Sequence, residues 1–144
     1  MERIIHYILV DHIPVALNTD TEENLLEWIR WMQDYNRLRV AEDVVGSFSV
    51  STYFLGRDRD YPPRLFQTII CERTESTCLL IDDNVKLIDH VKSELDHLMW
   101  RYETWDQAAL GHQKVVEMVR RSMFKGRKWW EFVMQAMKNK PVCR

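Results

Sequence analysis

SVSTYFLGRDRDYPPRLFQTIICER, Ser49 to Arg73, is the stretch on which the fold turns. In the run that enters it, Phe48, Val50, Thr52 and Phe54 alternate with Ser47, Ser49, Ser51 and Tyr53. A period of two with β-branched and aromatic residues predicts a strand from Ser47 to Leu55, ended by Gly56. Leu65, Gln67, Ile69 and Cys71 then alternate with Phe66, Thr68 and Ile70. Ile69-Ile70 breaks the polar side, so this second strand is expected to be covered on both faces for part of its length. Runs this close in sequence predict an antiparallel hairpin. The tip between them is dense in charge, and Pro62-Pro63 stiffens the return because each proline fixes φ.

Working outward, Ile4–Val10 is a short apolar run closed by Asp11-His12 and Pro14, which predicts a strand. Asp20 and Glu23 have capping spacing, and Leu25, Trp28, Ile29, Met32 and Tyr35 share one helical stripe widened by Trp31 and Leu38. A helix is predicted from Thr21 to Leu38. Thr77–Ile81 is expected as a further strand of the same sheet. Asp82-Asp83-Asn84 is expected to cap a second helix bearing Val85, Ile88, Val91, Leu95 and Leu98. A third helix opens at Thr104, with Gln107 in the capping-box position and an apolar face from Trp105 to Met123. Gly126 is expected to interrupt it before a short helix over Lys128–Met137.

The pattern predicts a two-layer α+β domain in the order β-α-β-β-(β)-α-α. An antiparallel sheet of three to four strands would carry the Trp28 and Thr104 helices on one face. Residues 1–124 form this single domain, and 125–144 form a basic, aromatic, partly helical appendage. The totals agree with one globular domain: 144 residues, 46% apolar and 29% charged. No apolar run approaches the roughly 20 residues that cross a bilayer, and the N-terminal run lacks the features of a secretory signal. Cys71, Cys78 and Cys143 lack paired-cysteine spacing, which fits reduced thiols in a cytoplasm rather than a disulfide framework or zinc ribbon.

The net charge of −2 conceals an asymmetry. From Arg120 onward there are eight basic residues and one acid, Glu131, a net of +7; up to Val119 there are 12 basic and 21 acidic residues, a net of −9. An acidic body with a basic tail suits contact with an anionic partner or with its own kind.

LLEWIRWMQDYNRLRVAED, VSTYFLG, PPRLFQTI and RYETWDQAALGH, in that order, resemble a family of small uncharacterised proteins of tailed bacteriophages and prophages. The match covers most of Ile4–His112. The resemblance implies a phage or prophage origin and the host cytoplasm as setting, and it implies no reaction. The family's loop carries a histidine and glycines where this chain has RDRDYPP. Thr74–Met99 reads as an insertion, and the tail after Phe124 is longer than usual.

Arg57, Asp58, Arg59, Asp60 and Tyr61 form one candidate binding site, since two carboxylates suit a cation or an acid–base pair. Alternating charges also satisfy one another, as at any polar hairpin tip. His90, Glu94 and His97 would share a helix face, but i to i+7 spans roughly 10 Å, too far for one ion. No metal or cofactor is therefore expected. His112, after Gly111 on the third helix, is expected to be a buried histidine hydrogen-bonded to the sheet, with the glycine allowing close packing. The tail is the stronger signal. Arg120, Arg121, Lys125, Arg127 and Lys128 interleave with Phe124, Trp129, Trp130 and Phe132. Such a segment suits a protein interface, self-association, nucleic acid or an anionic membrane surface. The expected function is non-catalytic: an accessory protein that binds a host or phage protein. The alternative is a nucleic-acid or small-ligand binding protein using the same tail. An enzyme built on Asp58 and Asp60 lacks an orienting partner for either acid.

Overall fold

A computed structural model describes the backbone of residues 3–73, 76–81, 84–89 and 94–138, and the side chains of residues 3–73 and 94–123. The chain is a mixed α+β protein with two antiparallel sheets and a separate hairpin. Strands β3 (Arg39–Val45), β4 (Phe48–Phe54), β6 (Phe66–Glu72) and β9 (Met99–Tyr102) form a four-stranded sheet in the order β3-β4-β6-β9. Strands β1 (Ile5–Val10), β2 (Ile13–Leu17) and β5 (Arg57–Asp58) form a three-stranded sheet in the order β2-β1-β5. Among the described residues, strands β7 (Ser76–Ile81) and β8 (Asn84–Asp89) pair with each other alone. Helices α1 (Glu22–Met32) and α2 (Tyr35–Leu38) precede β3, and α3 runs from Trp105 to Lys138.

The predicted hairpin is there: Phe48 lies opposite Glu72 and Phe54 opposite Phe66. Its connection does more than turn the chain. Arg57 and Asp58 pair with His6 and Ile5 of β1, so the loop of one sheet supplies an edge of the other. Each sheet also contains a hairpin that the sequence pattern hides. Asp11 and His12 both take positive φ (49° and 66°), the geometry of a two-residue type I′ turn, so β2 folds straight back on β1. Asp and His visit this region more readily than most residues, but less visibly than Asn-Gly. Val45 and Phe48 close a second two-residue turn, with Gly46 at φ 60° as a type II′ link requires. A Cβ on Gly46 would also meet the Met123 methyl at 2.5 Å.

Four expectations are corrected. The helix after Asn84 is a strand, because Val85, Leu87 and Asp89 also alternate and find a partner in β7. Accordingly Thr77–Ile81 belongs to that separate hairpin and not to the main sheet. The Trp28 helix is shorter than expected, although its Trp31 and Met32 pack with Phe54 of β4 and Ala108 of α3. It stops at Met32, packs on the β1 side, and contains no fully buried residue. Gly126 does not break the last helix, whose backbone continues to Lys138; a single glycine costs a helix only about 1 kcal/mol.

The core has two parts. Val45, Phe48, Val50, Ile70, Trp100, Val115, Val116 and Val119 join the four-stranded sheet to the middle of α3. Tyr7, Leu38, Phe54, Leu65, Phe66 and Ala108 form the second cluster, with Trp31, Met32 and Trp105 against it. Only Tyr7 represents the three-stranded sheet among these buried residues. The exposed strand edges are blunted. In β2, Pro14 follows the pair that closes the turn, so its missing N–H falls on the outer side. In β3 the register shifts between Arg39 and Ala41, and β9 has four residues.

Candidate functional site

Asp58 is the pivot of the charged loop. Its Oδ1 accepts from the backbone N–H groups of Arg59 (2.8 Å) and Asp60 (3.3 Å), and its Oδ2 from that of Arg64 (2.8 Å). Partial burial alone would raise its carboxyl pKa. The Arg64, Asp60 and Arg59 donors and the Arg101 charge outweigh that, so the pKa lies below the usual carboxylate value. Both oxygens are thus committed to holding the loop, and Asp58 has no role left as the partner acid of Asp60. What the loop presents is Arg57, Arg59, Asp60 and Tyr61, all exposed, with Tyr61 at 89%. The loop is thus firmly held, and its two carboxylates differ: Asp58 is engaged by backbone donors while Asp60 faces solvent.

A second polar set runs inward from the exposed Asp43. His112 comes from α3, Asp43 from β3, and Thr52 and Thr68 from β4 and β6. Asp43 Oδ2 is 2.7 Å from His112 Nε2, and Thr52 Oγ1 is 2.7 Å from His112 Nδ1 and 2.5 Å from Thr68 Oγ1. A carboxylate only accepts, so Nε2–H donates to Asp43. In the neutral ring Nδ1 then accepts from the Thr52 hydroxyl, and Thr68 donates to Thr52. The order acid–imidazole–hydroxyl resembles that of a nucleophilic triad. Thr52 and Thr68 are, however, 0% exposed, and Thr52 is engaged on both sides, so no substrate reaches the hydroxyl. The chain therefore works as a bridge that pins α3 to β3 and β4. Gly111 lets the helix come this close: a Cβ there would lie 2.3 Å from the Tyr102 ring. The buried, sheet-bonded histidine and the close-packing glycine both match expectation. Asp43, Thr52 and Thr68 were not singled out, since residues this far apart share no sequence spacing.

The remaining candidates separate. Arg120 and Arg121 are exposed on α3, and Arg121 pairs with Glu117 at 2.9 Å. Lys125, Arg127, Lys128, Trp129 and Trp130 lie on the helical backbone of α3, and their side chains fall outside the described residues. His90 also lies outside them. Glu94 and His97 sit in a turn, not on a helix, so the i, i+4, i+7 face does not form. His97 takes φ 67° and its Nδ1 is 2.5 Å from Asp96, whose other oxygen accepts from Glu72 N–H. Among the described residues no group of three or more His, Cys, Asp or Glu is placed to hold a metal ion. Among them, too, no helix is long and apolar enough to cross a membrane.

Two histidine–tryptophan contacts went unnoticed in the sequence, and both fasten the β1–β2 hairpin. His12 stacks on Trp105 of α3, with centroids 3.6 Å apart and planes 7° apart. His6 meets the Trp28 ring edge-on at 4.4 Å, and Trp28 Nε1–H donates to the Tyr7 carbonyl at 3.0 Å. Compared with protein-family models, curated proteins and solved structures, the chain finds no match.

Proposed function

We propose that this chain is a non-catalytic binding protein of a tailed phage or prophage, acting on a host or phage protein in the host cytoplasm. The distal half of α3 is its working element, and the Arg57–Tyr61 loop is a second contact. One observation carries this reading: α3 continues unbroken to Lys138, far beyond Val119, the last buried residue among its described side chains. A helix of 34 residues is roughly 50 Å long, and the seven-residue strands of the sheet beneath it span roughly 23 Å. The sheet alone is too short to span the whole helix, and the basic and aromatic residues concentrate in its distal half. Basic helices with aromatic anchors suit acidic protein grooves. The commitment of Asp58 to its own loop and of the His112 chain to the helix–sheet junction supports binding over catalysis, and the resemblance to phage proteins supports the setting.

The test is capture from a bacterial lysate with the full chain and with a full-length Trp129→Ala/Trp130→Ala variant. A protein held by the first and lost by the second is expected; identical capture by both would remove the distal helix from the reading. A salt-sensitive shift of single-stranded nucleic acid, lost in the same variant, would move the target from protein to nucleic acid.

A further inference from the structure

The exposed side of α1 has a composition opposite to that of distal α3. Leu26 and Ile29 are 43% and 39% exposed, although α1 belongs to a folded domain. On the helix Leu26 lies between Glu22 and Glu23 on one side and Ile29 and Arg30 on the other, with Glu27 adjacent. Glu22, Glu23 and Glu27 are exposed, and among the described residues none of the three has an ion-pair partner. The inner side of α1 is occupied: Trp28 bonds to Tyr7, Trp31 meets the Phe54 ring, and Met32 lies over Gly56. An acidic helix face with an apolar centre is thus left open, on a chain whose other end is a basic helix rich in Trp, Phe and Met.

The two cannot meet within one molecule. Trp105 and Ala108, at the start of α3, share a cluster with Trp31 and Met32 of α1. Val115, Val116 and Val119 belong to the other cluster. The helix therefore runs away from α1, and Lys138 lies roughly 28 Å beyond Val119 along its axis. An unbroken helix curves only gently and cannot return to its own α1.

We infer that distal α3 docks on the Glu22–Glu23–Leu26–Glu27–Ile29 face of α1 in a second copy of this chain. The inference rests on distal α3 being the binding element and names one seat for it. The net charges of +7 from Arg120 onward and −9 before it attract between copies. A two-fold arrangement makes the contact twice per dimer, each tail on the other's α1.

Sedimentation of the full chain at low and high salt tests this. A dimer at low salt that weakens as salt rises is expected. Full-length Glu23→Lys/Glu27→Lys, with helicity checked by circular dichroism, raises the dimer dissociation constant about tenfold. Full-length Arg127→Glu/Lys128→Glu does the same, and mixing the two reversed variants restores dimer. A chain monomeric at low salt, a dimer indifferent to either reversal, or a mixture that fails to recover overturns the α1 seat. A monomer that still holds a Trp129-dependent lysate protein sinks only the second-copy partner. A salt-sensitive dimer with no such protein sinks only the foreign one.

Discussion

The two sheets are held by different means. The four-stranded sheet lies under α3, and Val50, Thr52, Phe66, Thr68, Ile70 and Val119 are each 0% exposed. The three-stranded sheet has Tyr7 as its one buried residue among those described, and its helix α1 has none. It is fastened at points: the Tyr7–Gly56 backbone bond (2.7 Å), the Trp28 indole bond and the two histidine–tryptophan contacts. Burial of apolar area scales with contact and is spread over many atoms, whereas point fastenings fail one at a time. The smaller sheet should therefore open locally while the larger one opens only with the whole molecule.

The largest effect should come from the residue serving both regions. Phe66 sits in β6 against Phe54 and Trp105. Phe66→Ala should cost about 3–5 kcal/mol in urea unfolding and lower protection in both sheets; a loss confined to one sheet would break the shared-core account. Next comes the polar bridge of the larger sheet. Thr52→Val keeps the volume but leaves His112 Nδ1 without its donor, for an expected loss of about 1–3 kcal/mol. The protection of the β1–β2 amides should not fall further than the global loss requires.

Trp28→Phe removes the indole donor to Tyr7 and should cost about 0.5–1.5 kcal/mol. Hydrogen exchange should show that loss in β1 and β2 with β4 and β6 nearly unchanged; equal losses in both sheets would mean that they open together. The smallest effect is one of pH. Burial first, and the Arg57 charge second, lower the His6 pKa below its ordinary value of 6.5. The unfolded chain therefore takes up a proton that the folded chain resists. The His6 contribution is fully present above about pH 6.5 and is lost as pH falls below that value toward the lowered folded pKa. Urea midpoints across that window should decline in the parent and decline less in His6→Gln.

Sequence pattern revealed the elements whose neighbours in space are also neighbours in sequence. The β4–β6 hairpin, the strand Ile5–Val10 and the start of α3 could be read directly. Thr104 Oγ1 accepts from Gln107 N–H, and Gln107 Oε1 accepts from Glu103 N–H. The cap of α1 was misplaced by one residue: Thr21 accepts from Asn24 N–H, while Asp20 pairs with Arg3. Strand β2 was missed because Pro14 reads as a stop until an edge position makes its missing N–H harmless. Strand β8 was misread because Val85, Leu87 and Ile88 in a run of six fit either period, and only pairing with β7 decides between them. Of the candidate sites, the exposure of Tyr61 and the burial of His112 were legible; the three donors that immobilise Asp58 were not, since they depend on the path of the loop.

Residue order alone determined that this chain makes an α+β domain, that its charge divides at about Arg120, and that a basic aromatic segment ends it. These follow from local periodicity and composition, which need no partner to be read. Tertiary structure decided that the strands divide into two sheets, that α1 bonds to β1 while reaching Phe54 of the larger sheet, and that His112 closes a bridge from α3 to β3 and β4. It decided too that α3 carries the basic segment away from its own acidic helix. Each of those outcomes depends on which distant residues exclude water together, a property of packing that no stretch of sequence holds by itself.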